Sequence, residues 1–177
     1  MADLKISNMT SAAAGTALED VLHIIDDPSG TPINKKVTVG EMLNALKAPV
    51  ELAAGAVSIT EALHSGRISI IPDQASAGAL TLPVPKPGMV FRFHYGGAAI
   101  DAENTTIAPV GDEFFNGSLA FYDRANNTTS VVVSDNAADD LITLINPENF
   151  EVTCTAVSTT EWHISGYVNA DTAPTIA

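Results

Sequence analysis

Cysteine occurs once in these 177 residues, tryptophan once, and only eight residues are Lys or Arg. A single cysteine excludes a disulfide framework and a multi-cysteine zinc site. Cys154 lies in the alternation Phe150–Val157, where Phe150, Val152, Cys154 and Ala156 share a face, so it reads as a small buried apolar side chain. The shortage of cations against 21 acidic residues leaves a net charge of −13. That charge argues against binding nucleic acid through its phosphates, because few counterions can be released. It also disfavours an anionic membrane surface. No apolar run approaches the ~18–20 residues of a membrane span. The opening Met1-Ala-Asp-Leu-Lys-Ile-Ser lacks a basic region followed by an apolar one, so no secretory signal is expected. The Asn-x-Ser/Thr triplets at Asn8, Asn104, Asn116, Asn126 and Asn127 are accordingly not read as glycosylation sites.

Hydrophobic residues make up 46% of the chain, which is enough for a sizeable core. Thr, Ser and Asn supply most of the polarity, since only 16% of residues are charged. The charge is uneven. Residues 1–100 hold nine acidic and seven basic residues, whereas residues 101–177 hold twelve acidic residues and only Arg124. An asymmetry of this kind separates a docking end from a solvated one.

Residues 1–50 read as an arm. Asp20–Asp26 alternates as a strand, the turn formers of Asp26-Asp-Pro-Ser-Gly-Thr-Pro32 reverse the chain, and Lys35–Val39 returns. Thr38 or Gly40 then opens a short helix through Glu41–Leu46, with Met42, Leu43 and Leu46 at helical spacing, and Pro49 ends it. A hairpin and one short helix bury too little to stand alone, so this segment is expected to pack on the chain's own second domain, on symmetry mates or on a partner. Residues 51–177 read as a mainly β domain, a small sandwich or barrel. Strands are expected near Val57–Thr60, Arg67–Ile71, Ala79–Leu82, Met89–Tyr95, Thr105–Ile107, Ser118–Tyr122, Ser130–Ser134, Asp140–Ile145, Phe150–Val157 and Glu161–Val168. Pro83–Gly88 is an extended crossover, because its three prolines forbid helix and central strand. No fixed-period repeat occurs, which lowers the weight of solenoids and propellers. The tail from Asn169 to Ala177 reads as extended.

No enzyme signature stands out. His64-Ser-Gly66 lacks a nucleophile-elbow pattern, and adjacent strand residues point to opposite faces. His23, His64, His94 and His163 lack metal-ligand spacing. Ser134–Asp140 offers oxygen donors for calcium without the spacing of a calcium loop and reads as a solvated turn. Asp26-Asp27 starts a hairpin turn, and Gly96-Gly97 and Gly111 are turn glycines rather than a phosphate cradle. Asp101, Glu103, Asp112 and Glu113 would act as a glycosidase pair only at a separation in space that sequence does not give.

Two groups of segments resemble known families. Ile6–Asp26 followed by Lys35-Lys-Val-Thr-Val-Gly-Glu-Met-Leu43 is similar to a segment near the N-termini of tailed-bacteriophage virion proteins, fibres among them, with Met9 where leucine is usual. His64–Ile71, Leu80–Phe93, Asp139–Leu144 and Glu161–Val168 resemble, in that order, a family of small β-rich phage proteins that decorate the head. The resemblance implies a non-enzymatic capsid decoration (cement) protein on the outer surface of the virion. It would bind the major capsid protein and itself, as a homotrimer, with no cofactor or metal. The alternative is a tail-fibre or receptor-binding protein. Position and charge asymmetry nominate Leu4, Ile6, Leu22, Ile24, Lys35 and Lys36 as the attachment residues.

Overall fold

The computed structural model describes residues 21–26, 29–31, 33–135 and 139–177. Contacts divide the chain into two units, residues 1–47 and 48–177, and each is treated by itself. In the smaller unit, β1 (Val21–Asp26) and β2 (Ile33–Thr38) form an antiparallel hairpin, with Val21 opposite Thr38 and Asp26 opposite Ile33. Helix α1 (Val39–Lys47) follows without a break. Thr38 starts it through a capping box: the Glu41 N–H donates to Thr38 Oγ1 (3.0 Å), and the Thr38 N–H donates back to Glu41 Oε2 (2.7 Å). The Thr38 N–H, and then the Thr38 hydroxyl, which donates to the same oxygen at 2.9 Å, hold the Glu41 carboxyl below its ordinary range.

The larger unit is a β-sandwich of two open sheets, so the barrel alternative does not apply. The strands are β3 (Val50–Glu51), β4 (Ala56–Ser58), β5 (Ile68–Ile71), β6 (Gly78–Leu82), β7 (Val90–Tyr95), β8 (Thr105–Pro109), β9 (Phe114–Asp123), β10 (Thr128–Val133), β11 (Ile142–Leu144), β12 (Asn149–Ala156), β13 (Glu161–Ala170) and β14 (Thr175–Ile176). One sheet runs in the order β10-β9-β13-β12-β7-β5-β3, and the other β14-β11-β8-β6-β4. Every sequence-expected strand of this unit is present. The short helix α2 (Glu61–His64) and the brief strands β3 and β14 are additional: two to four residues are too few to show a period.

The path of the chain from β3 to β8 differs from the hairpins usual in a small sandwich. Successive strands alternate between the two sheets, so β3, β5 and β7 are parallel neighbours in one sheet and β4, β6 and β8 in the other. Parallel neighbours need a crossover. Here each crossover is a strand of the opposite sheet, and the chain winds as a short flattened coil. Its turns lengthen, with Val50 opposite Ser69 but Gly78 opposite Thr105, which is why no fixed period shows in the sequence. Beyond β8 the pairing reverts to antiparallel hairpins, β9–β10 and β12–β13, with β13 parallel to β9.

The core lies between the sheets and follows the alternation. Met89, Phe91 and Phe93 face inward from the β7 segment, Phe150, Val152, Cys154 and Ala156 from β12, and Trp162, Ile164 and Val168 from β13; all are buried. The Pro-rich crossover ends in a turn in which Pro87 and Gly88 (φ +94°) take the central positions and the Met89 N–H donates to the Lys86 carbonyl (3.1 Å). That is the type II geometry that asks for Pro then Gly. Burial pushes the Cys154 thiol up to about 12 from an ordinary 9.0. The folded chain therefore keeps this proton where the unfolded chain releases it, and stability is lost as pH rises above about 9. The expected result is that a thiol reagent at pH 8 leaves native protein untouched and labels Cys154 at the rate of unfolding. Labelling at the rate of an exposed thiol would show the site to be open.

Candidate functional site

The segments that carry the head-protein resemblance become struts. His64 is buried, and its Nδ1 accepts the Thr60 N–H at 3.0 Å. Ser65 Oγ accepts the Val90 N–H at 3.4 Å, and the Gly66 N–H donates to the Val90 carbonyl at 2.7 Å. Arg67 donates to the carbonyls of Ala48 (2.7 Å) and Leu63 (3.1 Å). His64 and Ser65 thus organise backbone, with no nucleophile–base contact between them. The other resembling segments supply core: Leu80, Leu82, Phe91 and Phe93, then Ile142 and Leu144, then Trp162 and Ile164.

The carboxylates gather in the loops at the two ends of the sandwich. At one end Asp101 is buried and accepts the N–H groups of Gln74 and Glu103, both at 3.0 Å. Asp73 there accepts the Tyr95 hydroxyl, which also donates to the Ala99 carbonyl (2.7 Å). Burial first, and then the bond to Asp73, push the Tyr95 phenol above its ordinary range. Arg124 clamps Asp171 through two 2.9 Å bonds and reaches Glu148 at 3.4 Å. At the other end Glu113 accepts the Gly111 N–H (2.9 Å), Asp139 accepts the Asp135 N–H (2.6 Å), and Lys86 pairs with Glu61 (2.6 Å). Asp101 and Glu103 therefore belong to one end and Asp112 and Glu113 to the other. Within each pair the buried member is occupied in tying down its loop.

The strands between these ends are nearly free of charge. The five strands of the smaller sheet contain no charged residue. The outer face of the larger sheet carries Arg92, with His94 3.4 Å from Glu151, and Glu161 accepting the Asn116 amide (2.7 Å). His163 is exposed on the same face, whereas His64 is buried in α2, so these histidines do not converge. Among the described residues no three His, Cys, Asp or Glu side chains group as a metal site, and no cavity opens. Residues 136–138 of the acidic stretch 134–140 lie outside the described residues.

Of the nominated attachment residues, Leu4 and Ile6 lie outside the described residues. Leu22, Lys35 and Lys36 are exposed on the β1–β2 hairpin. Ile24 sits in β1 opposite Lys35, and His23 opposite Lys36. Helix α1 carries exposed apolar residues that are not among those nominated. It buries none of its residues, and Met42 and Leu46, on one face with Leu43, are 40% and 61% exposed. The helical spacing of these residues was the available signal; that their stripe lies open is a tertiary fact. In comparisons with known proteins, no family model matches the chain and no curated protein is significantly similar to it.

Proposed function

We propose that this chain is a capsid decoration protein of a tailed bacteriophage, bound to the outside of the head shell and stabilising it without enzymatic activity. The observation that carries this reading is the smaller unit: a two-stranded hairpin and a nine-residue helix with Val21, Leu22, Met42 and Leu46 exposed. Such a unit is marginal by itself and gains stability from a surface that covers its apolar residues. The resemblance of the segments from His64 to Val168 to head-decorating proteins names that surface as the major capsid protein, together with neighbouring copies in a homotrimer. Lys35 and Lys36 add cations to the attaching hairpin.

The mechanism is linkage. A protein that binds the intact shell and not its dissociated subunits stabilises the shell by mass action against the pressure of packaged DNA. Counting copies per particle separates this reading from a tail-fibre or receptor-binding role: hundreds support decoration, and a dozen or fewer overturn it. Particles lacking the protein are expected to release DNA at lower temperature, or on earlier chelator challenge, than complete ones. Equal DNA retention would remove the stabilising role.

A further inference from the structure

Among the described residues, the four edges of the two sandwich sheets are unlike one another. β3 closes the larger sheet with two residues, one of them Glu51, while β4 and β14 close the smaller sheet with three and two. β10, the remaining edge, runs for six residues, Thr128–Val133, with no charge, proline or glycine. Its register with β9 is unbroken from Thr128 opposite Asp123 to Val133 opposite Ser118, so no bulge turns it away. Sheets protect open edges by shortness, charge, proline or bulges. Three edges of this sandwich are short, and β10 has none of the four protections.

Backbone phase decides what the open edge offers. The Ser134 N–H donates to the Gly117 carbonyl (3.0 Å), one step beyond the last paired residues of the β9–β10 ladder. Hydrogen-bonded and non-hydrogen-bonded pairs alternate in an antiparallel ladder. Thr128, Ser130 and Val132 therefore bond to β9, and Thr129, Val131 and Val133 direct their N–H and C=O groups to the open side. The same three carry their side chains on the outer face, where Val131 and Val133 are 60% and 65% exposed, while Val132 packs on the core. Val131 lies opposite Ala120, and Ala120 opposite the exposed Tyr167, so an apolar strip runs inward from the edge.

We infer that β10 pairs edge to edge with β10 of a second copy, antiparallel, about a two-fold axis through Val131. A two-fold axis normal to the sheet keeps outer face with outer face, so odd-numbered residues of one copy meet odd-numbered residues of the other. Centring on Val131 sets Val131 against Val131 and Thr129 against Val133 in both directions. All three outward-directed residues are then used, with six hydrogen bonds, and shifting the register in either direction leaves one of them without its partner. The contact is isologous and closes on itself. Charge favours this place over others. Two chains at −13 repel, but β10 contains no carboxylate, and this register sets Asn127, not a carboxylate, opposite Asp135. A six-residue edge with a narrow apolar strip falls short of the ~1,200 Å² buried by stable complexes. Association is therefore weak in dilute solution and rises where copies are held close together. Salt strengthens it by screening the net charge. The inference does not depend on the virion reading; a two-fold contact of this kind would join neighbouring trimers as readily as two single chains.

Sedimentation of the full chain over a range of concentrations, at low and high salt, combined with amide hydrogen exchange, tests it. The expected result is salt-favoured dimerisation that slows exchange at Thr129, Val131 and Val133. Val131→Pro removes the central outward N–H without touching the β9 ladder, and Val131→Lys places a charge on the axis. Each is expected to weaken association at least about tenfold, while Val110→Lys, at a comparably exposed valine elsewhere, leaves it unchanged. Circular dichroism checks folding, and if the proline variant fails to fold the lysine variant decides. Three outcomes overturn the inference: a monomer at every concentration, association unmoved by Val131→Lys, or protection of the three amides that does not vary with concentration. The last would mean that a segment of the same chain already covers the edge.

Discussion

Trp162→Ala is expected to destabilise the sandwich by about 3–5 kcal/mol, the range for removing a large buried aromatic. Trp162 is fully buried near the start of β13, opposite Phe115 on β9 and Ala156 on β12, with its ring 5.5 Å from that of Phe91. It therefore packs three strands of the larger sheet against the core. For a chain of this size the loss corresponds to a fall in melting temperature of roughly 10 °C or more. Trp162→Phe separates packing from polarity. The indole N–H is buried without a hydrogen-bond partner, so phenylalanine forfeits no bond and leaves a smaller void. Its cost is expected to stay below about 2 kcal/mol. Equal losses for the two variants in chemical denaturation would show that the indole N–H, not the ring volume, matters.

Gly166→Ala is the second large effect, and its cause is backbone. Gly166 has φ +148° in the middle of β13, and an added Cβ would overlap the Glu151 carbonyl oxygen and press on Val152 Cα at 3.1 Å. Both neighbours are main-chain atoms of the paired strand β12, so no side-chain rotation relieves the clash. Conformational strain and overpacking each cost about 1–3 kcal/mol, giving a sum of about 3 kcal/mol or more. Gly55→Ala is the control. Gly55 also has positive φ (+90°), but nothing lies within 4 Å of its added Cβ, so only the conformational cost of about 1–2 kcal/mol remains. Similar denaturation midpoints for the two variants would mean that the β12–β13 contact yields easily.

The residues nominated for attachment were open to description only in part. Lys35, Lys36 and Leu22 follow from charge and position, and the structure exposes them on the hairpin. The apolar face of α1 was visible as spacing, yet apolar spacing on a helix ordinarily means burial. The exposure of Met42 and Leu46 is what turns that spacing into a surface. The acidic loops show the converse. Asp101 and Glu113 read as chemical candidates because sequence does not show that backbone N–H groups already occupy them.

Local alternation determined which residues face the core. Met89-x-Phe91-x-Phe93 and Phe150-x-Val152-x-Cys154-x-Ala156 are buried as their period of two requires, because successive side chains on a strand must point to opposite faces. The same alternation is compatible with parallel and antiparallel neighbours and with any place in the sheet order. Only the tertiary structure decided that β3 to β8 wind between two sheets and that β13 lies parallel to β9. It alone left Thr128–Val133 as a long uncharged edge. Edge status depends on which strand is missing from one side, and that is a property of the assembled sheet rather than of any segment in it.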